Sequence, residues 1–230
     1  MLKRIRIKIC GNTHYEDAWC AAQAGADMLG FIFYPPSPRA ITVEAATELV
    51  ARLRQTEAGQ RMTLVGVFVN ETADAMLHML DAVGLDLAQL SGNESPETLS
   101  AMNLRAFKAV RGKTWLEWRS TLGQVKSGKS RNEKLAECPD FLLDADHETL
   151  FGGSGLQADK TLAATLSKDY DVLLAGGLNP DNVAQIVARV QPWGVDVASG
   201  TEAHPGKKDH AKVRAFIQAT QQALRPSQPD

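Results

Sequence analysis

The chain predicts a single (β/α)8 barrel, an α/β fold, on three observations. Eight short apolar, β-branched runs recur along its 230 residues, with helix-like patterns between them. The runs are nearly continuously apolar, as in Val65-Gly66-Val67-Phe68-Val69, which suits parallel strands covered on both faces. No linker or shift of composition divides the chain, and its length fits one barrel. Alternating strands and helices imply parallel pairing through crossover helices. An open doubly wound sheet is the alternative, and eight strands favour closure. Residues 1–224 are read as the barrel and 225–230 as a frayed tail.

Each element has its own signal. Arg6–Cys10 is the first strand, an apolar run that stops at Gly11. Thr13 is placed to cap a helix over His14–Ala24, closed by Gly25. Met28–Phe33 is the second strand, and Pro35-Pro36-Ser37-Pro38-Arg39 forms a stiff loop ending in arginine. Thr42 precedes a helix over Val43–Gln55. Strands three to five are read at Leu64–Val69, Leu85–Leu90 and Leu104–Val110. The fifth helical connection, between Val110 and Phe141, holds Gly112, Gly123 and Gly128 among many polar residues, so a long loop or irregular helix is expected. Phe141–Asp144 and Val172–Ala175 are strands six and seven. Asn179-Pro180 opens a helix over Asp181–Val190, with proline at the favoured first position. Val195–Ala198 is the eighth strand, and a helix from about Asp209 to Leu224 closes the barrel. Ala24-Gly25-Ala26, Val83-Gly84-Leu85 and Trp193-Gly194-Val195 read as tight helix-to-strand turns at the other end.

Composition excludes several classes of partner. Lys+Arg 25 against Asp+Glu 27 leaves a net charge of -2, which favours neither nucleic acid nor an anionic membrane. The basic run Lys126–Lys134 is interrupted by Glu133 and reads as solvated loop. No apolar stretch approaches the ~20 residues of a membrane span. The charged start of the first strand shows no signal peptide. Three widely spaced cysteines fit a reducing cytoplasm, and no Cys/His spacing suggests a metal site. Cys20 and Cys138 are assigned to packing.

In such barrels chemistry sits at the C-terminal strand ends. Those ends offer Cys10, Arg39 through its loop, Gln89, Ser91, Asp144 and Asp196. Gly152-Gly153-Ser154-Gly155, Gly176-Gly177 and Ser199-Gly200 follow strands six, seven and eight. Glycine lets backbone N–H groups approach an anion, so these clusters read as a phosphate site or as plain turns. Cys10 and Asp144 suit an acid/base pair across the barrel mouth. A thiol acts as base where nearby cations such as Lys8 or Arg39 favour its thiolate, and an aspartate as acid where burial favours its neutral form. A buried small hydrophobe and a structural ion pair are the alternative readings of the two residues. Arg39, framed by prolines, suits a carboxylate clamp.

The ordered set resembles the phosphoribosylanthranilate isomerase family. Its carriers are Lys8-Ile9-Cys10-Gly11, Gly30-Phe31-Ile32-Phe33 through Ser37-Pro38-Arg39, Gly66 to Asn70, Leu142-Leu143-Asp144, Gly152 to Gly155, Leu174 to Leu178, and Gly194 to Gly200. The likeness runs from Lys8 to about Ile217. It implies an Amadori rearrangement of N-(5-phosphoribosyl)anthranilate in tryptophan biosynthesis, with neither cofactor nor metal. Asp144 would be the acid, Cys10 the base and Arg39 the carboxylate ligand. Gln89, Ser91 and Asp196 would line the substrate site. Gly153, Ser154, Gly155, Gly176, Gly177, Ser199 and Gly200 would hold the phosphate. A monomer or homodimer is expected. Two places depart from the family pattern: Ser91 stands where histidine is usual, and Ala158-Asp159-Lys160 where Phe-Asp-Trp is usual. They motivate two alternatives, a sister isomerase acting on a related aminosugar phosphate and a weakly catalytic phosphosugar-binding subunit.

Overall fold

Eight parallel strands close into a barrel in chain order, β1 pairing with both β2 and β8. The computed structural model describes residues 4–111, 114–128, 138–144 and 155–223. The strands are β1 (Arg6–Ile9), β2 (Met28–Ile32), β3 (Thr63–Phe68), β4 (Leu87–Leu90), β5 (Ala106–Arg111), β6 (Phe141–Asp144), β7 (Val172–Ala175) and β8 (Gly194–Val197). Helices α1 (Tyr15–Ala24), α2 (Val43–Arg54), α3 (Glu57–Gln60), α4 (Ala73–Val83), α5 (Pro96–Ala101), α6 (Trp115–Gly128), α7 (Gly155–Leu166), α8 (Val183–Val190) and α9 (His210–Gln222) lie between and after them. A 3₁₀ turn, Ser199–Thr201, and an antiparallel hairpin, β9 (Glu202–His204) with β10 (Lys207–Lys208), separate β8 from α9.

The two-residue period of each strand sorts its side chains. Met28, Val65, Leu87, Phe107, Leu142 and Leu173 point inward and pack as one cluster inside the barrel. Ile7, Ile9, Leu29, Phe31, Phe68 and Leu143 point outward into the larger core beneath the helices. Both faces are therefore dry, which is why the strands read as continuous apolar runs. Lys8 sits between Ile7 and Ile9, so parity sends its side chain inside, where it is fully buried. The same parity turns Asp144 inward after Leu142.

At the N-terminal rim, carboxylates join neighbouring strands. Asp27, just before β2, accepts from the Ile7 N–H at 2.9 Å. Asp86, before β4, accepts from the Leu64 N–H at 2.8 Å. Asp140, before β6, accepts from the Asp171 N–H at 2.8 Å. These bonds satisfy strand-end donors that have no ladder partner. The opposite rim is left to other work.

Several local expectations are corrected. The N-cap of α1 is His14, which makes no side-chain cap bond, because Thr13 Oγ1 donates instead to the Gly206 carbonyl across the rim. The helix after β7 starts at Val183 rather than Asp181. Asn179 Oδ1 accepts from the N–H groups of Asp181 and Asn182, making a turn before the helix. Gly25 and Gly84 do close helices with φ of 99° and 81°, but Gly194 belongs to β8. There the αL cap is Gln191, with φ 51°. Gly194 is required for space: a Cβ would stand 2.9 Å from the Arg6 carbonyl oxygen. In the fifth connection α6 is helical through Gly123. Most of the basic run 126–134, the end of the connection, and the tail 225–230 lie outside the described residues.

Candidate active site

Because all eight strands are parallel, Cys10, one residue beyond β1, and Asp144, the last residue of β6, occupy the same rim. Three steps round the barrel separate β1 from β6, so the two side chains face a common mouth. Cys10 is held in line by its own N–H, which donates to the Val197 carbonyl at 2.8 Å. Asp144 is half-buried and lies in register with Arg111 of β5 and Ala175 of β7.

A polar cluster sits inside the barrel directly below Cys10. Lys8 Nζ donates to Asp196 Oδ1 at 3.0 Å and to Gln89 Oε1 at 2.9 Å. The pairing follows from register, since Lys8 stands opposite Asp196 across β1 and β8. Gln89 Nε2 then donates to Ser91 Oγ at 3.0 Å. This chain orients the Gln89 amide and leaves the Ser91 hydroxyl proton for another acceptor. Burial disfavours the Lys8 ammonium, but Asp196 and the neighbouring Cys10 together outweigh it and hold its pKa above the ordinary lysine value. Burial pushes the Cys10 thiol up; the charges of Lys8 and Lys208 pull it down without fully offsetting burial.

Arg39 comes to the rim from the loop after β2, over the residue that follows Cys10. Its stem crosses Gly11, whose φ is +76° and whose missing Cβ would meet Arg39 Cδ at 3.0 Å. Its guanidinium forms a forked pair with Glu202. Arg39 Nε lies 2.8 and 3.1 Å from the two carboxylate oxygens, and Nη2 lies 2.8 Å from Oε2. Glu202 also accepts from Lys208 Nζ at 3.2 Å, and Lys208 donates to the Ala198 carbonyl at 3.0 Å. Burial raises the Glu202 carboxyl, but the Arg39 hydrogen bond and the Lys208 charge bring it below the ordinary glutamate range. Burial lowers Lys208 despite Glu202.

The glycine turns of β7 and β8 meet on the same rim. Gly176 and Gly177 have φ of 97° and 60°, and the Gly177 carbonyl accepts from Asn182 Nδ2 at 2.9 Å. Gly200, in the 3₁₀ turn with Ser199, packs so closely on the loop after β7 that a Cβ would collide with the Leu178 carbonyl. Gly153 and Ser154 lie outside the described residues, and Gly155 is the first residue of α7, which also carries Ala158, Asp159 and Lys160.

Sequence reasoning brought forward Cys10, Arg39, Gln89, Ser91, Asp144 and Asp196, and the fold gathers them at one end. It missed Glu202 and Lys208. Their signal was Pro205-Gly206 flanked by short polar runs, a hairpin turn that folds the two charges back onto each other. A cavity of about 1030 Å³ lies elsewhere, at the N-terminal rim among Arg54, Arg61, Asp81, Asp86 and Arg105. Three of those residues are the arginines, and each pairs with a carboxylate: Arg54 with Asp86, Arg61 with Glu57, Arg105 with Asp81.

Comparison with known proteins points to one family. The family model for N-(5'-phosphoribosyl)anthranilate (PRA) isomerase matches residues 7–219. The N-(5'-phosphoribosyl)anthranilate isomerase of Pelobacter propionicus is 39% identical over 213 residues, covering 93% of this chain and 94% of that protein. The crystal structure of phosphoribosyl anthranilate isomerase from Thermotoga maritima superposes with a TM-score of 0.76 at 36% identity, covering 94% of this chain and 98% of that one. A structure of the isomerase in complex with reduced 1-(o-carboxyphenylamino)-1-deoxyribulose 5-phosphate superposes with a TM-score of 0.73 at 33% identity, with the same coverage of 94% and 98%.

Proposed function

Since the chain belongs to the N-(5'-phosphoribosyl)anthranilate isomerase family, we propose that Cys10 and Asp144 carry its two proton transfers across the barrel mouth. The protein is an isomerase of tryptophan biosynthesis. It converts N-(5-phosphoribosyl)anthranilate to 1-(2-carboxyphenylamino)-1-deoxyribulose 5-phosphate. Asp144 gives its proton to the furanose ring oxygen. The bond from that oxygen to carbon one breaks, and the anthranilate nitrogen supplies the electron pair that makes the iminium. Cys10 takes the proton from carbon two, and those electrons neutralise the iminium to give an enolamine. Tautomerisation to the ketone moves the enol proton to carbon one. The substrate nitrogen is the electron sink throughout, so the chemistry is proton transfer by positioned side chains.

The observation that carries this reading is the common inward-facing rim of Cys10 and Asp144, three strands apart. The surrounding residues take supporting roles. Arg39 uses Nε and Nη2 on Glu202, which fixes the plane of the guanidinium and presents Nη1 to the anthranilate carboxylate. Ser91 donates its hydroxyl to the sugar, while Gln89 and Asp196 act on the substrate from beneath. The glycines at 153, 155, 176, 177 and 200, with Ser154 and Ser199, cradle the phosphate; the positive φ at Gly176 and Gly177 supports this because it turns successive N–H groups toward one side. Three buried free cysteines suit a reducing cytoplasm, and no helix among the described residues is long and apolar enough to cross a membrane. Monomer and homodimer are distinguished by sedimentation.

The direct test is steady-state kinetics of Cys10→Ser and Asp144→Asn, with growth of a tryptophan auxotroph lacking this isomerase as the cellular readout. Each change is expected to lower kcat by ~10²–10⁴-fold, with KM less affected because proton transfer belongs to the transition state. Near-normal kcat in Cys10→Ser overturns the assignment of the base.

A further inference from the structure

We propose that Lys8 is a positioning residue of the reaction: an ammonium fixed by Asp196 and Gln89 beneath Cys10, whose charge stabilises the thiolate that abstracts the proton. The inference rests on the reading of Cys10 as the base. It starts from an oddity of the fold. A lysine stands inside the barrel with Gln89 and Asp196, against a layer of apolar side chains, and its side chain is 0% exposed. Burying an ammonium carries a desolvation penalty that a partner repays only with good geometry, and a methionine of similar length would fill the space without that penalty. A structural role is therefore a poor reason for the charge.

The geometry supplies a better reason. Lys8 and Cys10 are two residues apart on one strand, so both point inward on the same face. Both crowd the space above Gly30, where a Cβ would stand 2.6 Å from Cys10 Sγ and 3.1 Å from Lys8 Nζ. The bonds to Asp196 Oδ1 and Gln89 Oε1 hold Nζ in place. Asp196 keeps the amine protonated, so the cation beneath the sulfur persists when the thiol ionises. The charged groups acting on Cys10 come from every side: Lys8 from β1, Asp196 from β8, Lys208 from β10, and Arg39 from the loop after β2, with Asp144 of β6 across the mouth. Arg39 and Lys208 already share Glu202. Lys8 and Lys208 are both buried and both tied down at two points, but Lys8 alone of the two shares the strand and inward face of Cys10 and crowds the space above Gly30 with the sulfur.

The test measures the thiol directly, apart from turnover. In a full-length background with Cys20→Ala and Cys138→Ala, the rate of Cys10 alkylation by iodoacetamide is followed against pH by mass spectrometry. Lys8→Met is expected to slow alkylation at neutral pH by about tenfold or more, the effect of removing an adjacent cation from a thiolate. The acid limb of its kcat/KM profile moves to higher pH by the same amount. Lys8→Met leaves Asp196 buried without its partner, so the double variant Lys8→Met/Asp196→Asn, which removes both charges, keeps the test open if the single variant does not fold. Alkylation slows there too, by less, because the nearer charge lost is the cation. Unchanged alkylation in either folded variant overturns the proposal. The two readings fail separately: normal turnover in Cys10→Ser removes the base but leaves the alkylation effect, whereas unchanged alkylation with an inactive Cys10→Ser removes Lys8 and keeps the base.

Discussion

Alanine at position 30 puts a methyl group where the active-site sulfur now lies. A Cβ there would stand 2.6 Å from Cys10 Sγ, 3.1 Å from Lys8 Nζ and 3.2 Å from Cys10 Cα. Nonbonded heavy atoms keep about 3.5–4.0 Å apart, so the sulfur must retreat by about 1 Å. Gly30 is not among the residues with positive φ, and alanine meets no backbone strain; the collision is its whole effect on the folded state. Overpacking of this kind costs about 1–3 kcal/mol of stability, partly offset by about 0.4–1 kcal/mol from the stiffer unfolded chain. Moving a reacting atom by ~1 Å costs ~10²-fold in rate, about 2.7 kcal/mol of barrier. Gly66→Ala is the control. Its Cβ would meet the Phe68 ring at 2.7 and 2.8 Å and Leu85 Cδ1 at 3.1 Å, on the outer face of the barrel, far from any reacting atom. Both variants are assayed for kcat and KM on N-(5-phosphoribosyl)anthranilate and for their urea midpoints. Both should lose comparable stability, and only Gly30→Ala should lose kcat. Retention of kcat within about twofold in Gly30→Ala refutes the reasoning, as does an equal loss of kcat in Gly66→Ala.

Glu202→Gln leaves Lys208 buried beside a neutral amide and unfixes the Arg39 fork; KM should rise several-fold with little change in kcat, and an unchanged KM removes Arg39 as the carboxylate ligand. Stability should fall in acid. Burial raises the carboxyls of Asp17, Glu94 and Glu202, but the hydrogen bonds of Lys207, Lys108 and Arg39 respectively outweigh it, and all three lie below their ordinary values. The unfolded chain then binds more protons as pH drops through the ordinary carboxylate range, so stability is full above that range and is lost below it. Urea midpoints at neutral pH and below about pH 4 read this directly, and Glu202→Gln should flatten part of the slope. Ser91→His should improve kcat/KM several-fold at most, about the 0.5–1.5 kcal/mol of one hydrogen bond, because serine reaches less far into the mouth; a fall in kcat/KM instead marks Ser91 as fitted to a different aminosugar phosphate.

Much of this protein is legible in its order of residues. Continuous apolar runs such as Leu64 to Phe68 suit strands dry on both faces, and alternation with helices makes them parallel. Cys10, Asp144 and the glycine turns were visible because each ends a strand, and in a parallel barrel every strand end of one sense lies on one rim. Boundaries were less legible where a side chain had two partners available. Thr13 has a capping residue's chemistry and spends it on Gly206. Gly194 looks like a turn residue and is needed instead for its close approach to Arg6.

What the chain alone could not decide is which charges meet. Lys8 and Asp196 are 188 positions apart, and Arg39 and Glu202 are 163 apart. Lys8, Arg39 and Asp196 can be assigned to strand ends and the rim one by one, but composition and local period carry no information about a partner on another strand. Closure of the barrel brings β8 against β1 and sets the register that puts Asp196 opposite Lys8, and the hairpin after β8 turns Glu202 and Lys208 toward the loop of β2. The sequence by itself determined the strands, their order and the rim that bears chemistry, since those follow from hydrophobic period and chain direction. Only the tertiary structure decided the electrostatic surroundings of Cys10, since a charge acts through distance in space and that distance exists only once the barrel has closed.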